Sequence, residues 1–171
     1  MKIQCLPRGW FEQIKGTMLE EQVLSHNKVV SIQSRSGFDS KPPFSEEGLK
    51  SPNLLCLTFD DVTYYSTLNT VAVLVGTQEY DETVARFEPA MAQKILNHVG
   101  HGSWPVLIHC TEGISRSGAV GKVLDHYWNF VWDRKPKDHE YFIRVNPKIS
   151  PNPVVERIFT EYIETGYLDE V

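Results

Sequence analysis

The chain has 171 residues, 41% of them hydrophobic and 23% charged, a balance that suits one domain with a core of its own. Its formal net charge of -5 disfavours a general nucleic-acid or anionic-membrane binder, and its apolar runs are too short to span a bilayer. The first ten residues lack the apolar stretch of a secretory signal, and three cysteines (Cys5, Cys56 and Cys110) are too few and odd in number for a disulfide framework, so a reducing, cytoplasmic setting is expected.

Residues 1–27 read as an N-terminal cap. Trp10, Phe11, Ile14, Met18 and Leu19 are spaced for one helical face, predicting a helix over 10–24 with Gly16 as its weak point. Lys28–Gln33 is rich in β-branched residues and predicts a strand. Residues 34–52 hold many turn formers and read as loop, with Arg35 a solvated residue. Asn53–Phe59 predicts a second strand, apolar enough to be covered on both faces, with Cys56 in the core. It ends in Asp60-Asp61-Val62, where acidic residues can reach a site at a strand's C-terminal end.

Thr70–Val75 fits a strand or a buried helical turn, and Tyr64 and Tyr65 either line a pocket or pack. Asp81-Glu82-Thr83 resembles a helix start, but Pro89 cannot sit deep inside one continuous helix. Either the helix kinks there or the main helix begins near Glu88 with Pro89 in its first turn. Met91, Ala92, Ile95, Leu96 and Val99 then form its apolar face, and Gly100 and Gly102 end it. His98 and His101 read as surface residues beside a helix end, since no Cys or carboxylate cluster completes a metal site. Trp104-Pro105 leads into the next strand.

Val106–Ser117 is the most informative stretch. An apolar run ends in His109-Cys110, then come Thr111, Glu112, Gly113, Ile114 and Ser115, then Arg116 and Ser117. A helical segment follows. Strand, tight loop and helix N-terminus together suit an anion, because loop N–H groups and the helix dipole converge on one point. A cysteine there sits in a positive field, which favours the nucleophilic thiolate. Arg116 offers a planar fork to two phosphoryl oxygens. Gly113 permits a backbone that a Cβ would obstruct. Ser117 can hydrogen-bond the sulfur, and His109 orients the loop. Val120, Val123, Leu124, Tyr127, Phe130 and Val131 predict one face of a helix running to about Trp132. Residues 133–138 read as a charged solvated turn, and 139–145 as a further helix. Val154, Val155, Ile158, Phe159, Tyr162 and Ile163 mark a final amphipathic helix.

His-Cys-x5-Arg-Ser is similar to the signature of the cysteine-based protein tyrosine phosphatase superfamily. His-Cys-Thr-Glu-Gly-Ile-Ser-Arg-Ser most resembles its dual-specificity and compact bacterial or viral branch. The resemblance covers roughly residues 28–163, the catalytic core of a single domain over 1–171, and includes a Pro-Asn segment before the last helix. It implies an α/β fold with a central, mostly parallel sheet of about four to five strands flanked by helices. It also implies hydrolysis of phosphotyrosine, and of phosphoserine or phosphothreonine if the pocket is shallow, through a cysteinyl-phosphate. Cys110 would be the nucleophile, with residues 111–116 (Thr111, Glu112, Gly113, Ile114, Ser115 and Arg116) holding the phosphate.

The family's general acid is an upstream aspartate. Leu-Thr-Phe-Asp-Asp-Val resembles the compact bacterial pattern and favours Asp61, with Asp60 and Asp81 as rivals; residues 62–80 would then be an insertion relative to the animal enzymes. Trp104-Pro105 is not the acid loop of the larger enzymes, since Val106 follows. Glu112 and Ile114, in place of lysines, argue against a phosphoinositide substrate. The implied partner is a phosphorylated protein or peptide, with no membrane, no cofactor and no metal. An RNA 5′-phosphatase of the same superfamily, echoed by Gly118 but disfavoured by the acidic chain, and a phosphopeptide-binding module are the alternatives.

Overall fold

Four short apolar runs become parallel strands: β1 (Ile3–Pro7), β2 (Lys28–Gln33), β3 (Leu54–Thr58) and β4 (Val106–Cys110). In the computed structural model, which describes residues 1–62, 85–100 and 104–167, they hydrogen-bond in the order β1-β4-β2-β3. Among the described residues six α-helices flank the sheet: α1 (Arg8–Ile14), α2 (Met18–His26), α3 (Pro89–Val99), α4 (Arg116–Leu124), α5 (Pro136–Val145) and α6 (Pro153–Tyr162). This is the parallel α/β architecture expected. Among the described residues no helix is long and apolar enough to cross a membrane.

Alternation along the strands builds two core layers. Val106, Ile108 and Cys110 of β4 face one side, with Val30, Ile32, Ile95, Leu96, Val120 and Phe159. Val29 and Leu107 face the other, with Phe11, Ile14, Leu24 and Phe44. His109 shares that second side, its ring 4.7 Å from Phe11 and 6.0 Å from Phe44. Consecutive residues His109 and Cys110 therefore serve opposite faces of the sheet.

Several elements differ from the sequence reading. The segment expected only to cap the core supplies β1, whose Pro7 lies opposite Cys110 in the register. The helix expected over 10–24 is two helices, broken where Gly16 takes a φ of +72°. Among the described residues β3 is the outer strand, so it is covered less fully than its composition suggests, and Cys56 is exposed rather than in the core. Pro89 does open α3, in its first turn, and Ala92, Ile95, Leu96 and Val99 are its buried residues.

The helix through Trp132 also departs from a single regular face. After Leu124 it widens into π turns over Asp125–Trp132, closed by Asp133 N donating to Trp128 O. The wider turn shifts the phase of the side chains. Trp128 is buried, while Phe130 and Val131, expected on the apolar face, are exposed. Thr70–Val75, Tyr64, Tyr65, Asp81–Thr83, His101 and Gly102 lie outside the described residues.

Candidate active site

β4 delivers Cys110 to the C-terminal end of the sheet, between β1 and β2, where ligands collect in open parallel sheets. The chain then turns through residues 111–115 into α4. Gly113 makes the turn possible. Its φ is +72°, and a Cβ would lie 2.5 to 2.7 Å from the backbone of Leu6 and Pro7 at the end of β1. Both conditions select glycine.

The loop's carbonyls are engaged from outside. Thr111 O accepts from Arg8 N (3.0 Å), Ile114 O from Ser150 N (3.2 Å), and Ser115 O from Ala119 N (2.9 Å) and Asn152 N (3.1 Å). In a planar trans peptide the next N–H points the opposite way. The N–H groups of Glu112, Ser115 and Arg116 are thereby aimed inward, and no described residue accepts from the N–H of Glu112, Gly113, Ile114 or Ser115. These donors and the N-terminus of α4 form a cradle for an anion. Cys110 Sγ lies 3.2 Å from Ser117 Oγ, and both residues are buried. The Glu112 side chain is exposed.

Arg116 is 4% exposed. Its Nη1 donates to Ser34 Oγ and Phe59 O, both at 2.9 Å, and its Nη2 donates to Thr111 Oγ1 at 2.8 Å and Asp39 Oδ2 at 3.4 Å. Its Nε has no partner among the described residues. A buried N–H without an acceptor costs about 1–3 kcal/mol, a cost that an anion in the cradle would offset. Asp39 also accepts from Ser34 Oγ at 2.9 Å and from Thr111 Oγ1. Burial pushes the Asp39 carboxyl up, but the hydrogen bonds from Thr111 and Ser34 and the charge of Arg116 outweigh it and hold the group below its ordinary value. Asp39 is a clamp that keeps the guanidinium facing the loop.

His109 is fully buried on the far side of the sheet from Cys110. Its Nδ1 lies 3.4 Å from Cys110 O, which can only accept, so Nδ1 carries the proton. Nε2 then accepts from Ser31 Oγ at 2.7 Å, and Ser31 accepts in turn from Gln33 Nε2. Burial is the main cause that lowers the His109 pKa from 6.5 to about 4. The imidazole is neutral and its nitrogens are committed, which suits a residue that orients the loop and leaves no base for chemistry.

Between pH 6.5 and 4 the unfolded chain binds a proton that folded His109 refuses, so stability falls on acidification, by about 3 kcal/mol in full. Relative to a His109→Gln variant, which lacks this titration, the wild type should lose that much unfolding free energy in urea between pH 7 and pH 4. A pH-independent difference would contradict the assignment.

The adjacent acids are placed differently. Asp60 is a staple: Oδ1 accepts from Arg35 N at 3.0 Å and Oδ2 from Ala85 N at 2.8 Å. Asp61 is exposed and turned to the cysteine loop, its Oδ1 accepting from Ser115 Oγ at 2.8 Å and from Asn152 Nδ2 at 2.6 Å. Asp81 lies outside the described residues. The structure thus gathers Cys110, the 111–115 loop, Arg116, Ser117 and Asp61, and directs Asp60 elsewhere. Asp39, Ser34, Ser31 and Asn152 join the site without having been singled out. The Pro-Asn pair before the last helix was the one sequence signal for Asn152. Among the described residues no cluster of three or more His, Cys, Asp or Glu could hold a metal. His98 instead lies 3.1 Å from Asn53 O.

No protein-family model matches the chain, and no curated protein matches it. Among solved structures, the crystal structure of human DUSP28 is similar at 16% identity and a TM-score of 0.45, over 98% of this chain and 94% of that one. Tk-PTP in the active form is similar at 15% identity and a TM-score of 0.43, over 96% of this chain and 93% of that one. PTPMT1 is similar at 16% identity and a TM-score of 0.41, over 99% of this chain and 96% of that one.

Proposed function

We propose that this chain is a phosphoric monoester hydrolase acting on phosphotyrosine, and on phosphoserine or phosphothreonine where they reach the loop, through a cysteinyl-phosphate. One observation carries the reading. A buried cysteine begins a loop with unsatisfied N–H donors, closed by a buried arginine whose Nε is free, and an exposed aspartate is hydrogen-bonded to that loop.

The chemistry follows in two steps. Cys110 Sγ attacks phosphorus as the thiolate, the S–P bond forms, and the bond to the leaving oxygen breaks. That oxygen takes a proton from Asp61, a contribution of about 10²–10⁴-fold for a positioned acid. The inward N–H groups and Arg116 hold the equatorial oxygens. Water then attacks phosphorus, its proton passes to Asp61, and the S–P bond breaks. Ser117, 3.2 Å from the sulfur, donates to the departing thiolate.

The test is phosphate release from a phosphotyrosine peptide in the presence of a metal chelator, with and without orthovanadate. Metal-independent release that vanadate suppresses is expected. Tight binding of the peptide with no release would overturn the reading in favour of a binding module.

A further inference from the structure

We infer that Asn152 is the positioning residue for the acid. Its amide docks Asp61 onto the cysteine loop and leaves Oδ2 as the oxygen that carries the transferable proton. This rests on the reading of Asp61 as general acid.

The orientation of the amide is set by its partners. Asn152 Oδ1 accepts from Val154 N at 3.0 Å and Val155 N at 3.1 Å, capping α6. The other end must then be Nδ2, and it donates to Asp61 Oδ1 at 2.6 Å and Val62 O at 3.1 Å. The Asn152 N–H donates to Ser115 O at 3.1 Å. One residue, 1% exposed, thereby joins the last helix, the acid-bearing segment and the cysteine loop.

The pattern also selects an oxygen. Asp61 Oδ1 accepts from both Asn152 Nδ2 and Ser115 Oγ, which occupies its two lone pairs. A proton held by Asp61 therefore sits on Oδ2. Capping alone does not explain the choice of asparagine, because Ser, Thr and Asp cap helices comparably. Among these only asparagine combines an acceptor for the helix with an amide N–H for the acid. Asn152→Ser and Asn152→Asp each keep a capping oxygen and remove that amide donor.

The experiment compares the two variants with wild type, Asp61→Asn and the Asp61→Asn/Asn152→Ser double variant. Each is assayed on phenyl phosphate, a poor leaving group, and on p-nitrophenyl phosphate, an activated one, and each is melted. Expected is a fall in kcat of about 10- to 100-fold on phenyl phosphate for both Asn152 variants, a much smaller fall on the activated ester, and a melting temperature lowered more by Asn152→Asp, whose new acceptor faces Asp61 Oδ1 and Val62 O, than by Asn152→Ser. In the Asp61→Asn background the serine substitution should add nothing further.

Equal losses on both esters, or losses that multiply with Asp61→Asn, would overturn the positioning role. If Asp61→Asn is impaired on phenyl phosphate but neither Asn152 variant is, the positioning role alone fails. If Asp61→Asn keeps full turnover of phenyl phosphate, the acid assignment beneath it fails, and this inference with it.

Discussion

Cys110→Ser should abolish phosphate release, by more than ~10⁴-fold, while phosphopeptide binding persists. A serine hydroxyl is a weak nucleophile unless a base takes its proton, and the neighbouring histidine cannot act as one. His109 faces the other side of the sheet, neutral, with Nδ1 at Cys110 O and Nε2 at Ser31 Oγ. The anion cradle does not depend on the sulfur. Its N–H groups are directed by outer contacts to Arg8, Ser150 and Asn152, and Arg116 is held by Ser34, Phe59, Thr111 and Asp39. Phosphate assays paired with peptide-binding titrations check both halves. A variant that still turns over substrate would refute the nucleophile, and one that loses binding with turnover would refute the independence of the cradle.

Asp61→Asn and Asp60→Asn should separate cleanly despite being adjacent. The first should lower kcat on a phosphotyrosine peptide by about 10²–10⁴-fold and on an activated aryl phosphate far less, because only the poor leaving group needs the proton. The second should act on stability. Both Asp60 oxygens accept backbone N–H bonds, from Arg35 and Ala85, and an asparagine turns one acceptor into a donor that meets an N–H. A cost of about 1–3 kcal/mol is expected there, seen as a lowered melting temperature without a change in leaving-group dependence. Asp81→Asn completes the set. A leaving-group-dependent loss in that variant, and not in Asp61→Asn, would move the acid to Asp81.

The cysteine loop was legible in the sequence because its geometry is local. A strand, five loop residues including Gly113, and a helix start lie in one short stretch, so spacing alone conveys the cradle. Of the two adjacent aspartates the resemblance favoured Asp61, but nothing in the local sequence separates it from Asp60. Asp60 and Asp61 both leave β3, and which turns to the loop depends on Arg35, Ala85, Ser115 and Asn152, none of them sequence neighbours. Asp39 was hidden among turn formers, since its partner Arg116 is far away in the chain.

β1 escaped detection because Ile3–Pro7 is short, poor in β-branched residues and ends in proline. It is a strand because β4 offers it an edge, and it shapes the site, since the ends of Leu6 and Pro7 back the turn at Gly113. The π turns after Leu124 misplaced Phe130 and Val131 for a related reason. A 3.6-residue period cannot register a widened helix, and the burial of Trp128 emerges only once the neighbouring elements are packed.

The proposed reaction passes through a covalent phosphoryl-cysteine. It is tested most directly by acid-quenching Asp61→Asn during turnover of an activated aryl phosphate, where intermediate formation needs little acid but its hydrolysis lacks a base, and then mapping the modified peptide by mass spectrometry. One phosphoryl group is expected on the peptide that contains Cys110, accumulating early and decaying with phosphate release. Phosphate release with no phosphoryl-cysteine at any time, or with the phosphoryl group on another residue, would contradict it.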